Sequence, residues 1–204
     1  MDRKQHWERV YSLKSAQEVS WYQAQPDTSL TMIRRAAAGK TAAVIDIGGG
    51  ASRLVDCLLK QGCPDLTVLD ISGKALEQAR DRLGPLASRV AWIEADVTAF
   101  EPTRTWDVWH DRAAFHFLTD AADRERYLSV LNRALAAGGQ VIIAAFAIDG
   151  PQKCSGLDVE RYDAAKLAET LGPGFALEES CPEIHLTPAG GEQRFGFHRF
   201  RRNA

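Results

Sequence analysis

The chain has 204 residues, and a length of this order predicts one domain with at most an added segment. Lys and Arg number 25 against 27 Asp and Glu, a formal charge of −2, which gives no reason to expect nucleic acid or an acidic membrane surface as a partner. The longest uninterrupted apolar run, Val141 to Ile148, is far short of a membrane span, and the opening MDRKQHWERV carries charges where a signal peptide needs apolar residues, so the cytoplasm is the expected location.

The first forty residues read as helical. Trp7, Val10, Tyr11 and Leu13 lie on one amphipathic stretch, and Leu30, Ile33 and Arg34 on a second before Gly39. Between them Glu18 to Gln23 form an aromatic loop ending at Pro26. Residues 1–40 are therefore expected to be a cap or lid outside the core, with 41–204 as the domain proper. From residue 42 the period changes. Ala42 to Ile47 is a short apolar run stopped by Gly48-Gly49-Gly50, the pattern of a strand buried on both faces of a parallel sheet. Leu54, Val55, Leu58 and Leu59 follow at helical spacing, closed by Gly62. Leu66 to Asp70 is the next strand, and Ser72 is placed to cap a helix carrying Leu76, Ala79 and Leu83. Val90 to Ile93 and Trp106 to Trp109 read as strands. A long helix is expected from Ala121 to Ala137, ended by Gly138-Gly139, and Val141 to Phe146 as a fifth strand. Strands alternating with helices predict βαβ units and right-handed crossovers. Lys166, Leu167 and Leu171 suggest one more helix. Phe175 to Ser180 and Phe195 to Phe200 then follow as strands without a helix between them, so they should pair antiparallel. The expected fold is α/β: a doubly wound, Rossmann-like sheet of seven strands, mostly parallel, finished by an antiparallel hairpin.

Chemistry gathers at the strand ends. Asp46-Ile-Gly48-Gly49-Gly50-Ala-Ser52 closes the first strand and opens a helix, where glycines allow positive φ and close approach of a ligand. A dinucleotide loop wants a third glycine for helix packing, and Arg53 stands there instead. Asp70 lies 22 residues after Gly48, the spacing at which a carboxylate accepts ribose hydroxyls. Asp96 ends the third strand, where it could accept an adenine amino group while Val97 offers its N–H. Any one of these acids alone reads as a solvated loop carboxylate or a helix cap. Three of them at the carboxyl ends of successive strands mark the crevice where open α/β sheets bind ligands. No His or Cys spacing supports zinc, and no metal is expected.

These residues resemble the class I S-adenosylmethionine-dependent methyltransferases. The glycine-loop pattern stands as Asp46, Gly48, Gly50 and Ser52, the ribose acid as Asp70 followed by Ile71, and the adenine pair as Asp96-Val97. Trp106 to Leu118 looks like the family's fourth-strand motif, and Leu131 to Gly139 like its approach to strand five, with Ala137 in place of proline. The resemblance covers residues 42–146. It implies S-adenosyl-L-methionine as cofactor, S-adenosyl-L-homocysteine as product, and Asp46, Gly48, Gly49, Gly50, Asp70, Ile71, Asp96, Val97 and Asp111 around the donor. Asp46 would orient the donor's amino end. Asp111 and Arg112 fall beside donor and acceptor, and with His116 are the catalytic candidates. His110 alternates with Asp111 and is expected to face away. Trp21 and Tyr22 could close over the pocket as a lid. Cys154, in the loop after strand five, and His185, in the loop of the last hairpin, are substrate-side candidates. The other cysteines, Cys57, Cys63 and Cys181, form no CxxC pair, so free thiols in a reducing compartment are expected.

The activity expected is methyl transfer, with a small-molecule acceptor favoured because the cap leaves little room for macromolecular recognition. The alternatives are a protein-lysine methyltransferase, a noncatalytic module that binds the donor, and an NAD-dependent oxidoreductase. The last is opposed by Arg53 and by the Asp96-Val97 pair.

Overall fold

The computed structural model describes residues 2–39 and 41–203. Five parallel strands follow the apolar runs: β1 (Ala43–Ile47), β2 (Asp65–Asp70), β3 (Val90–Glu94), β4 (Trp106–Arg112) and β5 (Leu135–Phe146). Two long antiparallel strands, β8 (Phe175–Leu186) and β9 (Glu192–Arg202), finish the sheet, and β6 (Lys153–Cys154) with β7 (Leu157–Asp158) forms a small separate hairpin. The main sheet has seven strands in the order β3-β2-β1-β4-β5-β9-β8. Strand order reverses between β1 and β4, so the loops leaving these two strands diverge and open a crevice at their carboxyl ends.

The described residues form six α-helices: α1 (Arg3–Leu13), α2 (Asp27–Ala37), α3 (Leu54–Lys60), α4 (Gly73–Leu83), α5 (Ala121–Ala134) and α6 (Ala164–Leu171). Local chemistry sets their starts. Ser72 accepts the Ala75 N–H at 3.2 Å, Asp120 the Ala122 N–H and Asp163 the Lys166 N–H, each satisfying a free donor of a first turn.

Alternation along the strands divides the core into two faces. Val44, Val68, Val108, Ile142, Ala144 and Phe146 pack with Leu54, Leu58 and Leu76 on one side. Ile45, Leu69, Trp109, Val141, Ile143 and Ala145 pack with Tyr127, Leu131 and Leu167 on the other. Both sides are closed to water, which is why the parallel strands read as continuous apolar runs.

Three expectations change. Residues 1–40 are not all cap: Leu30, Met32 and Ile33 of α2 belong to the first core face, and only α1 and the loop after it lie over the strand ends. Helix α5 stops at Ala134, not Ala137, and β5 begins at Leu135. The sheet register jumps there from Trp106–Leu135 to Val108–Gln140, so Ala136 to Gly139 bulge out of the ladder, with Gly138 at φ +70°. Finally, β8 runs to Leu186, so His185 is not in a loop. It faces Gln193 within the ladder. Among the described residues, no helix is long and apolar enough to cross a membrane.

Candidate functional site

The reversal in strand order places the glycine loop at the centre of the site. Gly48 and Gly50 have φ of +63° and +40°, which L side chains rarely adopt. A Cβ on Gly48 would stand 2.7 Å from the Ala114 Cβ, and one on Gly50 2.7 Å from Asp70 Oδ2. The turn is thus pressed against the loop after β4 on one side and the acid of β2 on the other. From α4, Arg82 reaches back to it, donating to Ala51 O at 2.9 Å and Ser52 O at 2.7 Å while pairing with Asp56.

Asp70 ends β2 and is 6% exposed. Its Oδ1 accepts the Ser72 N–H at 2.8 Å. Burial pushes its carboxyl up to about 7, opposed by the Ser72 N–H and reinforced by the negative charges of Asp46 and Glu8. Asp96 sits beyond β3. Its Oδ1 accepts from the Thr98 N–H and hydroxyl, and its Oδ2 lies 3.3 Å from Arg3 of α1.

A cleft of about 770 Å³, open solvent included, lies between these acids. Gly48, Asp70, Ile71, Asp96 and Val97 form its floor and rim, with Leu69, Ala95 and Leu118 as apolar wall. The cap supplies Arg3, Trp7, Tyr11 and Trp21. Trp7 meets Trp21 edge-on at 5.7 Å and Phe117 at 5.0 Å, and Tyr11 meets Trp21 at 6.2 Å. The segment is held down by polar contacts: Gln78 donates to Tyr11 O at 2.8 Å, Lys4 pairs with Glu94 at 2.6 Å, and Arg3 also approaches Asp123 at 3.4 Å.

A second cavity, of about 530 Å³, adjoins the first on the other side of Trp21, Gly48 and Arg112, which line both. It is more polar, with Ser29, Asp46, Gly49, Arg53, His110 and Tyr22 in its wall. Here Asp46 Oδ1 stands 2.7 Å from His110 Nδ1, and His110 Nε2 2.9 Å from Ser29 Oγ. Arg112 donates from Nη1 to Trp21 O at 2.9 Å and lies 4.9 Å over the Phe195 ring. Its Nε and Nη2 find no hydrogen-bond partner among the described residues. Burial lowers it to about 10, with Glu183 opposing, so it stays charged at neutral pH.

Residues 44–139 match the family described as a methyltransferase domain. The match takes in the glycine loop, the strand-end acids and the approach to β5, a little under half of the chain. Nodulation protein S of Rhizobium tropici is 27% identical over 106 residues, covering 52% of this chain and 44% of that protein, so the match spans less than half of the relative's length. Among solved structures, the N-methyltransferase NodS of Bradyrhizobium japonicum, in complex with S-adenosyl-L-homocysteine, superposes with a TM-score of 0.74 at 16% identity, covering 97% of this chain and 98% of that one. The 1,6-didemethyltoxoflavin-N1-methyltransferase of Burkholderia thailandensis, with 1,6-didemethyltoxoflavin and S-adenosylhomocysteine bound, gives 0.69 at 21%, covering 98% and 84%. At these identities the structural likenesses establish the fold.

The structure gathers Gly48, Asp70, Ile71, Asp96, Val97, Trp21, Arg112 and Cys154 around the larger cleft, and Asp46, Gly49 and Tyr22 around the smaller. Gly50 lies behind the turn, against Asp70 and Tyr11. Besides Gly50, three further candidates are not at either cavity. Asp111 is wholly buried: Oδ1 accepts the Ala114 and Phe115 N–H groups at 2.9 and 3.0 Å, and Oδ2 accepts the Tyr127 hydroxyl at 2.8 Å. Burial raises its carboxyl to about 6. Its oxygens are committed to the turn after β4, which corrects its expected place beside donor and acceptor. His116 lies on that turn, packed 4.9 Å from the Phe146 ring, and burial lowers it to about 3, so it is neutral and walled off. His185 is bonded to Ser20 O at 2.7 Å and holds the cap loop rather than facing the cleft. Cys154 does line the cleft, but burial raises its thiol to about 11, far from thiolate at neutral pH.

Sequence reasoning did not single out Arg3, Trp7, Tyr11, Phe117 and Ser29 as site residues. For Tyr11 and Trp7 the available signal was two aromatics four residues apart on a helix beside a glycine-loop domain. His110 was expected to face away, and the structure shows the reverse. It shares a face with Asp46 because the β1–β4 register pairs the two residues directly.

Proposed function

We propose that this chain transfers a methyl group from S-adenosyl-L-methionine to a small-molecule acceptor by in-line displacement at the methyl carbon. The observation that carries the reading is that Gly48, Asp70 and the Asp96-Val97 pair, at the ends of three adjacent strands, line one apolar cleft that opens beside a polar second cavity. The apolar cleft suits adenosine. Asp70 Oδ2 would accept from the ribose hydroxyls, and Asp96 and Val97 would meet the adenine edge in place of Arg3. The donor's zwitterionic methionine end fits the polar cavity, whose wall holds the acid Asp46 and the cation Arg53. The sulfonium then falls near Gly48, where the cavities meet.

The donor supplies an activated methyl group, so the protein contributes mainly proximity and alignment, worth several kcal/mol. As the acceptor's lone pair bonds to the methyl carbon, the carbon–sulfur bond breaks and sulfur keeps its electron pair. None of the described residues lining both cavities, Trp21, Gly48 and Arg112, is a base at neutral pH. This supports an acceptor whose lone pair is already free, such as a neutral amine or ring nitrogen, which loses its proton only after methylation. The two relatives whose structures superpose, both N-methyltransferases by name, support the same acceptor class. The four cysteines are free thiols, which supports a reducing cytoplasmic location.

Calorimetry with S-adenosyl-L-homocysteine and NAD tests the donor. The sulfur ligand should bind and NAD should not. Methyl transfer from labelled donor to a panel of small amines and aza-heterocycles tests the chemistry. Tight donor binding with no release of S-adenosyl-L-homocysteine toward amine, heteroaromatic or protein acceptors would favour a noncatalytic module.

A further inference from the structure

We infer that Ser29 and His110 are positioning residues that fix Asp46 to receive the α-ammonium of the donor's methionine end. The inference rests on the donor proposed above and assigns a role to side chains outside the glycine loop itself.

Parallel pairing sets Asp46 of β1 directly beside His110 of β4, and alternation turns both toward the face that α2 covers. Helix α2 brings Ser29 to the far side of the imidazole. The result is a linear chain, Ser29 Oγ to His110 Nε2 at 2.9 Å and His110 Nδ1 to Asp46 Oδ1 at 2.7 Å. All three residues are 3% exposed or less.

The protons in this chain follow from valence. An ionised carboxylate only accepts, so His110 Nδ1 carries the hydrogen and donates it to Asp46. In the tautomer that carries this hydrogen on Nδ1 alone, Nε2 is an acceptor and the Ser29 hydroxyl donates to it. Ser29 thus selects the tautomer that points a donor at Asp46, as outer partners of a metal-bound or catalytic histidine do. The serine has no nucleophilic role: it is 1% exposed, and its hydrogen is committed to the ring.

The chain satisfies one oxygen of Asp46 and leaves the other. Among the described residues Oδ2 has no hydrogen-bond partner, and a Cβ on Gly49 would stand 2.5 Å from it. A carboxylate held by one neutral donor, with its second oxygen beside a glycine that opens the approach, is half of a buried ion pair. The cavity it borders also holds the cations Arg53 and Arg112, neither hydrogen-bonded to Asp46 among the described residues, so it suits a ligand that brings an ammonium to Asp46 and an anionic group to the arginines. The amino-acid end of the donor has that chemistry, and the adenosine end does not.

The test uses two ligands with the same adenosine and sulfur: S-adenosyl-L-homocysteine, and 5′-methylthioadenosine, which lacks the amino-acid tail. Their affinities are measured by calorimetry on the full chain, wild type and the variants His110→Phe, Ser29→Ala and Ser29→Thr. His110→Phe should weaken S-adenosyl-L-homocysteine about tenfold or more while changing 5′-methylthioadenosine less than about twofold, since one hydrogen bond to a charged group is worth about that much. Ser29→Ala should lower the ratio of the two affinities in the same direction by a smaller factor, and Ser29→Thr should restore it. If His110→Phe does not fold, the serine pair carries the same comparison with the loss of a hydroxyl only. Equal weakening of both ligands would make the chain mere scaffolding and overturn the inference, as would an unchanged ratio. Failure of the wild type to bind either ligand would instead overturn the donor assignment.

Discussion

Replacing Asp70 by asparagine removes one charge from the cleft and almost no volume. In the native protein Oδ1 is already held by the Ser72 N–H, so Oδ2 is the oxygen left for a ligand, and it sits against Gly50 at the mouth of the glycine turn. Asparagine can present an oxygen to only one of these partners, and its NH₂ must then face the other. If the ribose hydroxyls donate one or two charge-assisted bonds to Asp70, each worth roughly 1.5–3 kcal/mol, the variant should lose at least about 1.5 kcal/mol of donor affinity. That is about tenfold, since about 1.4 kcal/mol is one decade. Asp65, at the other end of β2, is the control. It pairs with Arg104 at the surface, so Asp65→Asn should leave donor binding unchanged.

The raised carboxyl gives the same residue a pH signature. A group whose folded pKa lies above its unfolded value favours the folded state below the unfolded pKa, and that contribution is lost as pH rises through the folded value. For Asp70 the window runs from the ordinary carboxylate range near 4 up to about 7. The ligand-free protein therefore loses some stability across that window, and the ionised carboxylate that results is the form that accepts ribose hydroxyls. The thermal shift given by S-adenosyl-L-homocysteine should be larger at pH 8 than at pH 5.5, and Asp70→Asn should flatten the difference. Calorimetry and melting curves at the two pH values measure both. Equal loss of affinity at Asp65 and Asp70, or a ligand shift indifferent to pH in the wild type, would refute the reasoning.

Removing residues 1–25 takes away Arg3, Trp7, Tyr11 and Trp21 but leaves α2 in the core, so the truncated chain should keep the circular dichroism of a folded sheet while binding S-adenosyl-L-homocysteine at least about tenfold more weakly. A folded truncation with unchanged affinity would reduce the cap to packing. Asp111→Ala strands two backbone N–H groups and the Tyr127 hydroxyl in the core, so a urea melt should show a loss of about 2–5 kcal/mol. A variant of unaltered stability that had lost turnover would return Asp111 to the chemistry. Gly49→Ala drives a methyl group to 2.5 Å from Asp46 Oδ2 and 2.8 Å from Val68 Cγ1, and should cost about 1–3 kcal/mol of stability as well as tail-dependent donor affinity. Normal binding by that variant would mean that the turn is looser than its geometry.

Much of the fold is readable because each parallel strand is an apolar run stopped by a feature with its own chemistry. Gly48 ends β1 and Asp70 ends β2, and the period of two at Phe195, Phe197 and the aliphatic part of Arg199 marks β9. What fails is decided by contacts far along the chain. Leu128, Leu131 and Leu135 keep helical spacing, yet Leu135 takes an extended backbone, ψ 131°, because it pairs with Trp106 of β4. The length of β8 is equally hidden. Cys181-Pro182 looks like an interruption, but an edge strand tolerates proline, since no neighbour needs its missing N–H. Helix α2 reads as cap because nothing local distinguishes an apolar helix face that meets its own sheet from one that covers a ligand.

The division of labour within β4 shows why site residues are harder to read than site loops. Alternation says that His110 and Arg112 share one face and Asp111 the other, but it does not say which face meets the ligand. That depends on the neighbours in the sheet. Asp46 lies beside His110, so the even-numbered residues look toward α2 and the cavities, while Trp109 and Asp111 join Tyr127 of α5. Asp111 nonetheless shapes the cleft at one remove. By gripping the Ala114 and Phe115 N–H groups it holds a turn in which Ala113 has φ +68°, and Ala114 of that turn closes against Gly48. The acid that the motif places beside the ligand is thus spent on the turn that shapes the ligand's floor. The imidazole one position earlier takes the role of touching the glycine-loop acid, because a parallel register, unlike a motif, assigns every residue a partner on its own face.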